Sequence, residues 1–372
     1  MKQVDHLMEL AIREQVFPGG VLLVSEKGKT VFHKAFGKAN IYSGLPVVKN
    51  TVFDLASLTK PLATTLAVMK LVEENILSLS DTLGKNLPGY KGTSKEKITI
   101  RQLLDHTSGF PDYRPFYKEL MKIPPEKRRT ALKGLLLREA LINIPGTKTL
   151  YSDLGFMVLG WIVETASGDS LNSFIEKRIY SHIGLDSLFF IALHGSGSEL
   201  KIRKREFAAT EQCQWREKLI EGAVHDDNAF ATGGVEGHAG LFGTAGDVNR
   251  LLEDLLLTFY GKNSSGVFNS HILSIFLKRP GREDGRVLGF DIPSPQESSC
   301  GKYFSAGTVG HLGFSGTSFW MDLERSITVI LLTNRIHPSR NNEKIKAFRP
   351  RLHDAVMQQL ASAESIKPNS FI

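Results

Sequence analysis

The chain has 372 residues, 41% of them hydrophobic, and a formal net charge of +7. Its length exceeds what one compact core usually holds, so two lobes, or one domain with a large insertion, are expected. The composition is that of an ordinary globular protein, without low-complexity tracts or repeats of fixed period.

The charge does not point to nucleic acid. Basic residues are dispersed, and the small clusters Lys127–Arg129 and Lys201–Arg205 have the acidic neighbours Glu126 and Glu206. A nucleic-acid face would interleave such clusters with aromatics. Cys213 and Cys300 stand far apart, which is neither a disulfide framework nor a zinc pattern. No run of about eighteen apolar residues occurs, so no membrane span is expected. The N-terminal MKQVDHLMELAIREQ is amphipathic and lacks the apolar centre of a signal peptide. As written the chain reads as cytoplasmic; a periplasmic form trimmed of its leader would read the same.

In chain order, residues 2–16 read as a helix. GGVLLVSEKGKTVFHKAFG reads as two strands around a tight turn at Lys27-Gly28. The spacing of Leu62, Leu66, Met69, Val72 and Ile76 predicts a helix over 58–76 with these residues on one face. Residues 80–235 mix helical stretches with loops, and TIRQLLDHTSG and LGFMVLGWIVETASG each end at glycine, as helices do. Gly, Asn and Asp crowd 225–247, which suggests a long structured loop. TSFWMDLERSITVILLTN reads as a hairpin with its turn near Leu323–Arg325. NNEKIKAFRPRLHDAVMQQL reads as a closing helix that Pro350 interrupts. Strands at both ends with helices between argue a mixed α/β (α+β) fold rather than alternating βαβ units.

Ser57 and Lys60 open the helix over 58–76. Three residues apart on a helix is one face, so the two would share a proton. A serine hydroxyl is a weak nucleophile until a base takes its proton, and a lysine of lowered pKa can be that base. The spacing alone has a plainer reading: Ser57 as helix cap and Lys60 as surface charge. Tyr151-Ser152-Asp153 precedes an apolar helical run; alone, Tyr151 reads as a helix-entry aromatic and Asp153 as the cap. His311-Leu312-Gly313 leads into strand-like residues; alone, His311 reads as structural.

In this order, S-x-x-K, then Y-S-D, then H-x-G, the set resembles the penicillin-recognising serine hydrolases. These include class C β-lactamases, D-alanyl-D-alanine carboxypeptidases, D-aminopeptidases and related esterases. LLDHTSGF (103–110), EGHAGLFGTAGDV (236–248) and VILLTNRIHPSR (329–340) also look like family segments. The resemblance implies an antiparallel sheet from both chain ends, flanked by helices, with an inserted all-helical lobe. The lobes would be α/β over 1–78 plus 236–372 and helical over 79–235. It implies Ser57 as nucleophile, Lys60 as general base or proton relay, and Tyr151 as the phenol sharing that proton. It places Asp153, His311, Gly313 and Phe314 along the substrate, with the N–H groups of Ser57 and Phe314 as the oxyanion hole. It implies no metal or organic cofactor, and a small-molecule or peptide substrate.

Two positions depart from the family. Asp153 stands for an asparagine; ionised, it cannot donate to a substrate carbonyl. Near Lys60 it would favour the ammonium, weakening Lys60 as free base and strengthening Tyr151. His311 stands for a lysine and is mostly neutral at pH 7. Recognition of a substrate carboxylate would then be weak, or fall to an arginine such as Arg335, although Arg335 and Arg340 read better as surface residues. An esterase or a peptidase acting on D-residues fits better than a dedicated β-lactamase, and no glutamate reads as a deacylating base.

His106 reads as the end of a helix, His225-Asp226-Asp227-Asn228 as a hydrogen-bonding loop, and His238 as a pocket residue. No H-E-x-x-H, G-x-S-x-G or Walker A pattern occurs. The expectation is a serine hydrolase working through an acyl-enzyme on an ester, amide or D-amino-acid peptide. The alternative is a sensor on the same fold that acylates slowly or not at all.

Overall fold

The computed structural model describes residues 1–193, 205–262, 264–278, 287–294 and 297–365. Five antiparallel strands form the main sheet: β1 (Gly19–Glu26), β2 (Lys29–Gly37), β8 (Val309–Leu312), β9 (Ser318–Asp322) and β10 (Ile327–Thr333), in the order β2-β1-β10-β9-β8. The centre joins the chain ends: Val21 pairs with Leu332, and Leu23 with Ile330. Both faces are covered, which explains why β1 and β10 read as near-continuous apolar runs. Val21, Leu23, Ile330 and Leu332 enter the large central core. Leu22, Val24, Val329 and Leu331 face a second core closed by the helices Lys2–Arg13 and Ile345–Ser365. Each such side chain buried contributes about 1.5–3 kcal/mol.

A small sheet sits beside the first: β3 (Phe53–Asp54), β7 (Leu241–Gly243) and β4 (Leu188–Phe190), in the order β3-β7-β4. The described residues of 79–235 are not the all-helical lobe expected: helices such as Ile100–Leu104, Pro125–Arg138, Asp153–Ser167 and Leu171–Ile175 are joined by long loops. They also carry β4 and the two-stranded ribbon of β5 (Gln212–Cys213) and β6 (Lys218–Leu219).

The helix expected over 58–76 is irregular at its start. A 3₁₀ turn at Ala56–Leu58 leads into π turns over Lys60–Thr65, and α-helix holds only over Leu66–Glu73. Pro61 has no N–H to bond the Ser57 carbonyl, so a regular i→i−4 ladder cannot form there. Ile76 is 48% exposed, not on the buried face, because Asn75 at φ 57° has already turned the chain away. Pro350 does not interrupt the closing helix, which runs unbroken over Ile345–Ser365. Near a helix start a proline forfeits one bond, here to the Lys346 carbonyl. The 225–247 stretch holds a short helix, Asp227–Ala231, as well as β7. Among the described residues no helix is long and apolar enough to cross a membrane. Residues 201–204 of the second basic cluster lie outside the described residues.

Candidate active site

Ser57 sits on a bend held from both sides. Ala56, immediately before it, has φ 49°, a left-handed conformation that costs a non-glycine residue energy and persists only when its surroundings impose it. Here Asp54 imposes it: its Oδ1 accepts from the Ala56 N–H at 2.8 Å and its Oδ2 from the His225 N–H at 2.7 Å. Thr59 Oγ1 donates to the Ala56 carbonyl at 2.6 Å and accepts from the Leu241 N–H at 3.1 Å. Ser57 is therefore not a side-chain cap; it lies inside the 3₁₀ turn.

Lys60 is no surface charge. It is fully buried, and its Nζ donates to Ser57 Oγ at 3.1 Å and to the His238 carbonyl at 3.1 Å. Asp153 Oδ1 lies 2.7 Å from Nζ, a contact of charge with charge rather than a well-directed hydrogen bond. Burial pulls the Lys60 pKa down, but Asp153, and then Tyr151, outweigh it and hold the amine above its ordinary value. Lys60 is thus an ammonium at neutral pH. Burial pushes the Tyr151 phenol up to about 12, against the opposing pull of Lys60. The Tyr151 ring centroid lies 4.8 Å from Lys60 Nζ, 4.7 Å from the His106 ring and 5.9 Å from the His311 ring.

The Y-S-D motif works by a division of labour. Ser152, not Asp153, caps the helix Asp153–Ser167, accepting from the Gly155 N–H at 3.1 Å. Its own N–H donates to His106 Nδ1 at 3.0 Å, which assigns the His106 proton to Nε2. His106 does end its helix, with φ 60°, and it also seats Tyr151. With Ser152 as cap, Asp153 takes the first helical position and faces Lys60.

On the far side His311 lies on β8, opposite Phe319. Its Nδ1 bonds the Leu312 carbonyl at 2.9 Å, and burial lowers its pKa, so it is neutral. Gly313 is required: a Cβ there would collide with Thr317 Oγ1 and lie 2.7 Å from the Leu55 carbonyl. Ser315 Oγ donates to the Asp54 carbonyl at 2.7 Å and Thr317 Oγ1 to that of Leu55 at 3.1 Å. These bonds stitch the Gly313–Gly316 turn to the residues just before Ser57. Phe314, 49% exposed, is stacked between the His225 ring at 5.7 Å and the Arg335 guanidinium at 4.6 Å.

Arg335 is buried, not a surface residue. Its Nε donates to the Phe314 carbonyl at 2.9 Å, and its Nη1 to those of Arg340 and Asn342 at 3.0 and 2.6 Å. Those bonds occupy the fork that a substrate carboxylate would need. Three further contacts surround the site; the sequence reads His238 as a pocket residue and Asp226 as a loop residue, while Arg349 and Glu211 have no motif to announce them. His238 Nε2 lies 2.9 Å from Asp226 Oδ1, and Arg349 reaches the carbonyls of Gly313 and Thr317. Glu211 joins His225 at 3.1 Å to Arg340 at 2.5 Å. Among the described residues no cluster of His, Cys, Asp and Glu is arranged to hold a metal ion.

A Beta-lactamase family profile matches residues 2–349. The chain belongs to the beta-lactamase family of serine hydrolases. A protein of Escherichia coli (strain K12) named as a D-alanyl-D-alanine carboxypeptidase is 32% identical, over 89% of this chain and 82% of its own length. An N-acetylmuramyl-L-alanine amidase of Bacillus subtilis (strain 168) is 30% identical, over 91% of this chain and 81% of its own. Solved structures share the fold. EstCE1, a hydrolase with promiscuous acyltransferase activity, superposes with a TM-score of 0.75 at 24% identity, covering 96% of this chain and 98% of that one. The octameric penicillin-binding protein homologue from Pyrococcus abyssi gives 0.73 at 23% identity, covering 97% and 77%. The beta-lactamase family fold, an antiparallel sheet flanked by helices, is the one described above.

Proposed function

We propose that this protein is an acyl hydrolase in which Ser57 forms a covalent acyl-enzyme with an ester, amide or D-amino-acid peptide. The observation that carries it is the fully buried Lys60 donating to Ser57 Oγ at 3.1 Å, on a backbone bend just before an irregular helix. The relatives named as carboxypeptidase and amidase support an amide or peptide among the substrates. The reading divides the chain into an α/β lobe (1–78 and 236–372) that supplies Ser57, Lys60 and His311, and a lobe of helices and loops (79–235) that supplies Tyr151 and Asp153.

Ser57 Oγ attacks the substrate carbonyl. An ammonium has no lone pair, so Lys60 takes the Ser57 proton only as it passes one of its own to the Asp153 carboxylate 2.7 Å away. The tetrahedral oxyanion rests on the N–H groups of Ser57 and Phe314, each worth about 2.7–4 kcal/mol in such sites. Tyr151, in contact with both Ser57 and Lys60, gives its proton to the leaving group, Lys60 resupplies it, and Asp153 returns to Lys60 the proton it took, which restores the ammonium and the carboxylate. Water then repeats the sequence against the acyl group.

The test uses p-nitrophenyl esters, nitrocefin and D-alanyl peptides, with turnover and intact mass measured together. Turnover that Ser57→Ala abolishes supports the hydrolase. Stoichiometric mass gain without turnover supports a sensor instead. Neither turnover nor mass gain across the panel removes the acyl-enzyme reading.

A further inference from the structure

Behind the Phe314 N–H stand two buried guanidiniums. Arg349, on the closing helix, is 5% exposed, and its Nη2 donates to the Gly313 carbonyl at 3.3 Å and the Thr317 carbonyl at 2.8 Å. Arg335 grips the next peptide, donating to the Phe314 carbonyl, and covers one face of the Phe314 ring. Neither arginine makes an ion pair among the described residues. Glu343 acts on Arg335 only from beyond ion-pair distance, and the charge acting most on Arg349 is Arg335 itself; a buried cation so poorly compensated is expensive, and a neutral side chain could close a hairpin turn at less cost.

The covalent structure supplies the reason. The Gly313 carbonyl and the Phe314 N–H are the two ends of one planar peptide group. A cation at the oxygen end draws electron density towards it and leaves the N–H end more positive. Hydrogen bonds in such a chain strengthen one another by about 10–30% each. We propose that Arg349, with Arg335 beside it, is a positioning residue that holds and polarises the Gly313–Phe314 peptide, making the Phe314 N–H a stronger donor to the reacting oxyanion. The inference rests on the acyl-enzyme reading above.

The experiment compares wild type with Arg349→Gln, which keeps an N–H donor without charge, and Arg349→Lys, which keeps the charge. Thermal unfolding, kcat and KM on a p-nitrophenyl ester, and acyl-enzyme mass are measured for each. The carbonyl stretch of a cinnamoyl-enzyme, captured by rapid mixing and read by infrared difference, reports the pull on the acyl oxygen directly. Arg349→Gln is expected to fold, to lose roughly 10- to 100-fold in kcat with KM within about twofold, and to move the carbonyl band to higher wavenumber. Arg349→Lys is expected to recover most of the rate and the band. Three results overturn the proposal: Arg349→Gln at the wild-type rate with its band in place; equal losses in both variants with an unmoved band; or an Arg349→Gln chain that does not fold, which makes the residue a structural tie. A wild-type protein that gains no acyl mass overturns the acyl-enzyme reading itself, so the two failures are told apart.

Discussion

The two sides of the Ser57 site handle charge in opposite ways. On the nucleophile side the buried charges nearest Ser57 Oγ are paired: Lys60 with Asp153, and beyond it His238 with Asp226. On the turn side no ion pair forms among the described residues: Arg335 and Arg349 spend their donors on peptide carbonyls, and Glu343 acts on Arg335 only from a distance. The first side conserves net charge while protons move, so proton transfer there needs little rearrangement. On the proposed mechanism, the second keeps a positive field where negative charge would develop. On that mechanism, proton traffic and oxyanion stabilisation would be built from different materials, and single substitutions would disturb one without the other.

The bluntest way to break the comparison is to remove the residue both sides serve. Ser57→Ala should lower ester turnover by at least roughly 1,000-fold, with no acyl mass and an unchanged melting temperature. Gly313→Ala strikes the turn side alone. Its Cβ would press on Thr317 and the Leu55 carbonyl, so about 1–3 kcal/mol of stability should be lost, with acylation slowed further as the turn moves from Ser57. Denaturant unfolding and burst kinetics together check this; an unchanged burst rate would show that the turn does not set the oxyanion hole.

Asp153→Asn strikes the nucleophile side alone. Without the carboxylate, burial governs Lys60 and its pKa falls, so the variant needs Lys60 to lose its proton to solvent first, where wild type can pass it to Asp153. The acid limb of kcat/KM should move up by at least about one pH unit, with roughly tenfold less activity at pH 7 and recovery towards pH 9. A profile that stays in place would assign the Ser57 proton to Tyr151.

The smallest effect is on folding. Burial lowers the His238 pKa, but Asp226 raises it more, and the net change is upward. A raised folded-state value means the protonated form is the stabilising one. Its contribution is complete below the unfolded value of about 6.5 and fades as pH rises through the folded value. Each pH unit separating the two values is worth about 1.4 kcal/mol. Wild type should therefore lose stability between pH 6 and pH 9 relative to Asp226→Asn, as melting temperatures across that window would show.

What was legible in the sequence was whatever repeats along the chain or clusters within a few residues. The apolar runs of β1 and β10, the hairpin near Leu323–Arg325 and the helix ending at Gly168 all declare themselves locally. Ser57–Lys60 does not: its spacing alone reads as a cap and a surface charge, and only the later Y-S-D and H-x-G, in order, point to a site. The unannounced parts are long-range and use ordinary residues. Nothing near Arg349 in sequence says that its partners are carbonyls on a turn over thirty residues away. Asp226 and His238 meet because a glycine-rich segment folds back, and Gly233, Gly234 and Gly240 all take positive φ there. The cap on Ser152 rather than Asp153 turned on a contact with Pro111, whose carbonyl accepts from Ser152 Oγ at 2.6 Å.

The pairing of β1 with β10 has a consequence for how the protein is made. On a ribosome the β1–β2 hairpin emerges long before β10 and keeps one apolar edge open meanwhile, since Val21 must wait for Leu332. Pairings of such sequence separation are slow to form and leave strands open to wrong neighbours. The helix that carries Arg349 arrives later still. A nascent chain cut short before it would hold Ser57, Lys60 and Tyr151 and still lack Arg349 beneath the Gly313–Phe314 turn, so on the proposed reading only a chain synthesised through that helix would hold a finished site.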